Sequence, residues 1–138
     1  MQEGQGVDDI VTKAVKKCRI LIIDDDSDFL ESLHLRLMMD GYDVLTLPDG
    51  TDAVKQYGEF KPDIVFLDVR MPNISGYDVF LRLKAHSPDA KIYFTSGYAL
   101  DEEEYAVARS QSLAGIITKP IDSSVLRKVL DSICQDHS

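Results

Sequence analysis

The chain has no apolar stretch near the ~20 residues that a helix needs to cross a bilayer. Its opening, Met1-Gln2-Glu3-Gly4, lacks the basic start and apolar core of an export signal. The expected location is therefore the cytoplasm. Positive charge is scarce as well: 15 Lys and Arg against 24 Asp and Glu give a formal charge of −9. Such a surface repels phosphate backbones and anionic lipid, whose binding rests on neutralisation by basic side chains. No direct nucleic-acid binding and no membrane association are expected. Cysteine is limited to Cys18 and Cys134, too few and too far apart for a zinc or CxxC motif. A bond between the two stays open, and reduced structural thiols are the expectation for the compartment. His34, His86 and His137 stand apart, in no metal-ligand spacing, which points to solvated or capping roles.

What is present is a chain of 138 residues, 44% hydrophobic, the size of one compact domain with a core able to fold unaided. Short apolar runs alternate five times with amphipathic stretches, the pattern of βα repeats that build a parallel sheet covered on both faces. The spacing predicts strands at 19–23, 42–47, 64–67, 91–95 and 115–118. Between the first two, Phe29, Leu30, Leu33 and Leu37 recur at helical spacing, with Ser27 as N-cap and Gly41 as stop. A second helix is predicted over 51–57, closing before Pro62, and a third carries Tyr77, Phe80, Leu81 and Leu83 to the Ser87-Pro88 break. The fourth, over 101–110, is weakly apolar, with Glu102, Glu103 and Glu104 at its positive end. The last presents Val125, Leu126, Val129, Leu130 and Ile133 as a core-facing stripe.

The chemistry gathers at strand ends. Asp24-Asp25-Asp26 follows the run Ile20-Leu21-Ile22-Ile23, Asp68 ends the run from Ile64, and Lys119-Pro120 ends the run from Gly115. In an open parallel sheet, ligands bind outside the carboxyl ends of the strands. Hard oxygen donors suit Mg²⁺, which accepts one or two carboxylates and keeps several waters. Asp24, Asp25 and Asp68 offer those oxygens. If Asp68 is also a nucleophile, an incoming phosphoryl group needs a metal, a cation and a hydroxyl donor around its oxygens. Lys119 is the cation, and Thr95 and Ser96 compete as the hydroxyl.

These residues resemble the receiver domains of two-component response regulators, the CheY-like class. The likeness covers about residues 18–134 and rests on Asp24-Asp25, on Leu67-Asp68-Val69-Arg70-Met71-Pro72 followed by Gly76, on Ser96-Gly97, and on Lys119-Pro120. It implies an α/β, flavodoxin-like, doubly wound five-stranded parallel sheet in the order 2-1-3-4-5, with helices on both faces. It also implies that Asp68 accepts a phosphoryl group from a histidine kinase or phosphotransfer protein. Mg²⁺ would be held by Asp25, Asp68 and the backbone carbonyl of Arg70, with Asp24 acting directly or through water. Ser96, chosen over Thr95 because Gly97 follows it, would bond the phosphoryl oxygen, Lys119 would pair with it, and the Lys119-Pro120 bond would be cis. A downstream partner, or a second copy after phosphorylation, is expected on the fourth helix, fifth strand and fifth helix. Where the family often places an aromatic three residues before the lysine, this chain has Ile116; Tyr98 is the candidate substitute, and Arg70 and Tyr98 flank the path of an attacking water.

Three rivals remain. A Mg²⁺ phosphatase with an aspartate nucleophile would want a general acid two positions on, where Arg70 cannot donate a proton at neutral pH; the chain is expected to be a regulatory phosphoacceptor, not an enzyme. A flavodoxin-like cofactor binder would need a glycine-rich cradle where the three aspartates stand. A pseudo-receiver would be an interaction module that has lost the chemistry. The receiver is expected over 18–138, preceded by an extension over 1–17. There Val7, Ile10, Val11, Ala14 and Val15 share one helical face, fitting either a docking amphipathic helix or a leader with chance periodicity. No separate output domain is expected within the chain.

Overall fold

The computed structural model describes residues 17–97 and 100–134. Strands and helices alternate strictly: β1 (Arg19–Ile23), α1 (Ser27–Met39), β2 (Asp43–Leu47), α2 (Ala53–Phe60), β3 (Ile64–Asp68), α3 (Gly76–His86), β4 (Ile92–Ser96), α4 (Glu102–Ser110), β5 (Gly115–Thr118) and α5 (Ser123–Cys134). All the strand pairs are parallel, in the order β2-β1-β3-β4-β5. The expected strands are present to within about a residue of their predicted ends.

The sheet divides the core in two. Ile20, Ile22, Ile64, Phe66 and Ile117 pack against Leu30, Leu33 and Leu37 of α1 and Leu126 and Leu130 of α5. Leu21, Ile23, Val65, Leu67 and Phe94 face Ala53 of α2, Val79, Phe80 and Leu83 of α3 and Ala108 of α4. Every residue of β3 is buried. Strands covered on both faces read as unbroken apolar runs, which is why β1 and β3 were plain in the sequence.

Four local expectations are corrected. Asp26, not Ser27, caps α1: its carboxylate accepts from the amides of Asp28 at 3.1 Å and Phe29 at 3.2 Å, and an anion suits the positive helix end better than a hydroxyl. α2 runs later than predicted and closes at Lys61, which adopts a left-handed φ of 55° before Pro62. Val125 is 42% exposed, so the α5 stripe is narrower than its spacing implied. Cys18 and Cys134, expected as thiols, form a disulfide with Cα atoms 5.6 Å apart. The 116-residue separation hides their proximity: β1 starts, and α5 ends, at the same edge of the sheet.

Tyr98, the proposed substitute aromatic, and residues 1–16, which hold the amphipathic stretch, lie outside the described residues.

Candidate functional site

Register brings the strand ends together. Ile23 pairs with Leu67, Asp68 with Thr95, and Ser96 with Thr118, so Asp24, Asp68, Ser96 and Lys119 arrive along one edge of the sheet. This edge includes the β1/β3 junction, where the strand order reverses and a crevice opens. Gly76 holds the loop after β3 close: its amide donates to the Val69 carbonyl at 2.8 Å, and a Cβ there would collide with the Asp68 carbonyl oxygen. Lys119-Pro120 is cis.

Asp24 and Asp68 are buried, Asp25 is exposed, and one carboxylate oxygen from each lies within 4.8 Å of the others, an acidic triad suited to a metal ion. The Lys119 ammonium donates to Asp24 Oδ2 at 2.6 Å and sits 3.8 Å from Asp68 Oδ1. Asp24 Oδ1 accepts from the Asp26 amide at 2.9 Å. Asp24 is thus satisfied by a cation and an amide, whereas Asp68 shares the same ammonium at the longer distance and has Asp24 and Asp25 as neighbours. The shortfall falls on Asp68. Burial, and then the neighbouring Asp24 carboxylate, push its carboxyl up to about 7 against the opposing pull of Lys119. A divalent cation would remove that repulsion, so the donor set fits one.

Asp25, Asp26, Asp68, Arg70, Gly97 and Lys119 line a cavity of about 470 Å³ over the triad. Thr95 and Ser96 are both buried, 1% and 2% exposed, and burial does not separate them as the hydroxyl donor; Gly97, next to Ser96, borders the cavity. Ile116 is half-buried against the core cluster that includes Phe94 and Ala108.

One neighbour escaped the sequence reading. Phe29, taken there only as part of a helix stripe, lies with its ring centroid 4.4 Å from the Lys119 Nζ. Its place one turn into the helix that follows the acidic run was the available signal.

A family model, response regulator receiver domain, matches residues 20–131, and the chain belongs to that family. The transcriptional regulatory protein GlrR of Escherichia coli is 28% identical over 123 residues, covering 89% of this chain and 28% of its own length. PrrA of Mycobacterium tuberculosis, also a transcriptional regulatory protein, is 35% identical over 88 residues, 64% of this chain and 38% of its own. The chain spans less than half the length of either relative. Among solved structures, the chemotaxis protein CheY4 of Vibrio cholerae superposes with a TM-score of 0.77 at 22% identity, over 86% of this chain and 99% of its own. The response regulator TrrA of Thermotoga maritima, solved in complex with Mg(2+)-BeF, gives 0.73 at 27% identity over 84% and 98%.

Proposed function

We propose that this chain is a phosphorylation-dependent switch in which Asp68 accepts a phosphoryl group from a histidine kinase or phosphotransfer protein. The observation that carries the reading is the Asp68 carboxylate itself, buried at a strand end, pushed up in pKa, and within one small cluster of Asp24, Asp25 and Lys119. In the transfer, the bond from phosphorus to the donor imidazole breaks as a bond to a carboxylate oxygen of Asp68 forms, and the imidazole takes a proton from solvent. Asp68 must be ionised to attack. Asp24, Asp25, Asp68 and the Arg70 carbonyl would hold Mg²⁺, which when bound offsets the carboxylates and the phosphoryl oxygens. TrrA, bound to Mg(2+)-BeF, supports that choice of ion. Lys119 exchanges Asp24 for a phosphoryl oxygen, and the Ser96 hydroxyl donates to another.

The readout is a change of partner affinity at α4, β5 and α5, by a downstream protein or a second copy. Of α4 only Ala108 is buried, so this helix costs little to shift. Val107 on α4 and Val125 on α5 are 41% and 42% exposed and offer apolar contact. Arg70 stands where a phosphatase of this chemistry would place its general acid, which favours a regulatory phosphoacceptor over a turnover enzyme. We place the receiver at 18–138, with 1–17 as an extension, and the protein in the cytoplasm. Among the described residues no helix is long and apolar enough to cross a membrane. A disulfide is uncommon in that compartment, but Cys18 and Cys134 are only 4% and 9% exposed and so shielded from small thiols.

Incubation with a small acyl phosphate, with and without Mg²⁺, tests the reading by intact mass. One added phosphoryl group is expected with Mg²⁺, and none in Asp68→Ala. Absence of the adduct under every condition would leave a pseudo-receiver.

A further inference from the structure

Four contacts close a ring around the lysine. The Asp26 amide donates to Asp24 Oδ1 at 2.9 Å; the Phe29 amide donates to Asp26 Oδ1 at 3.2 Å; the Phe29 ring faces the Lys119 ammonium at 4.4 Å; and that ammonium donates to Asp24 Oδ2 at 2.6 Å. The first turn of α1 is therefore fixed to the acidic loop by its own cap, and it delivers one aromatic face to the cation of the site.

We infer that Phe29 is a positioning residue for Lys119 in phosphoryl transfer. The inference rests on the switch reading above. An ammonium held only by Asp24 would have to break that ion pair, or surrender to water, before reaching oxygens on Asp68. The ring offers an attraction that is electrostatic yet uses no hydrogen-bond direction, so the three N–H groups stay free to turn from one acceptor to another. With Asp68 Oδ1 already 3.8 Å away, a small rotation of the lysine suffices. Phe29 is half-buried beside the cluster of α1 and α5, which fixes the plane of the ring.

The test compares Phe29→Leu and Phe29→Tyr with the unchanged chain in two readouts. One is the rate of labelling by a small acyl phosphate with Mg²⁺. The other is the NMR shift of the Lys119 Cε protons, which the ring current moves upfield. Phe29→Leu is expected to label about threefold to thirtyfold more slowly, the range that cation–π attraction spans. It should also lose the upfield shift while Phe29→Tyr keeps both. Equal rates in all three chains, or a slowed Phe29→Leu whose Lys119 shift is unchanged, would overturn the inference. If Phe29→Leu does not fold, a Lys119 shift in the unchanged chain at its random-coil position overturns it instead. Failure of the unchanged chain to label would sink the switch reading and with it the role of Phe29 in transfer, whereas the Lys119 shift, which needs no phosphoryl transfer, shows separately whether the ring contact itself exists.

Discussion

The two edges of the sheet carry charge in opposite ways. At the edge where the strands begin, Arg19 pairs with Asp43 at 3.4 Å, donates to the Phe60 carbonyl at 2.7 Å and lies over the Phe60 ring at 5.5 Å, while its amide donates to Asp63 at 2.8 Å. The side chains of that ion pair are 42% and 44% exposed, and the disulfide closes the same edge. Where the strands end, Asp24 and Asp68 are nearly sealed from water and share one lysine, with the Asp25 carboxylate close beside them. One edge is balanced and solvated, which is how a fold spends charge when only stability is at stake. The other is left acidic and buried, an arrangement that costs stability and is useful only when a cation and an anionic group come to complete it.

The largest effect that separates the edges is at Asp68. Asp68→Asn should abolish phosphoryl labelling by intact mass and, without metal and at alkaline pH, raise the melting temperature, because it removes a carboxylate whose ionisation the site opposes. A lower melting temperature would contradict the claim that the edge is strained by charge. Next in size is the disulfide: Cys134→Ser should lose about 2–4 kcal/mol in urea unfolding and leave the labelling rate unchanged, since the bond sits at the far edge. Slower labelling in that variant would show that the edges are coupled.

A pH series sharpens the same contrast. Asp68 binds its proton near 7 when folded and at about 4 when unfolded, so the metal-free folded state holds more protons between those values and stability falls as pH rises through that window. Mg²⁺ held by the triad would displace that proton. The rise in melting temperature on adding Mg²⁺ should therefore grow from pH 5 to pH 8, where these values only bracket the window set by Asp68; a gain that shrinks with pH would mean the metal does not bind at Asp68. Smallest is the balanced edge, where Asp43→Asn should change stability by no more than about 1 kcal/mol in urea unfolding and leave labelling untouched.

The contrast also governs what the sequence could tell. β1 and β3 were legible because burial on both faces makes them continuous apolar runs, and Asp24, Asp25 and Asp68 were legible because carboxylates at the ends of such runs are out of place unless they act. The strand order came from family resemblance, since nothing in local spacing reports which strands are neighbours. The features that escaped depend on distance in space. Cys18 and Cys134 meet across 116 positions, and Lys119, after β5, meets Phe29, on the helix after β1. The cap at Asp26 was missed because three adjacent aspartates look alike as letters, and only backbone geometry gives one of them to the helix.

The measurement that tests the account most directly is a Mg²⁺ titration followed by amide NMR shifts in the unchanged chain and in Asp68→Asn. Saturable shifts are predicted at Asp25, Asp68 and Arg70, with Arg19, Asp43 and Asp63 unmoved, and they should be much weakened in Asp68→Asn. Equal small shifts at both edges, or unaltered binding in the variant, would contradict the claim that the strand ends of this fold are built to receive a cation.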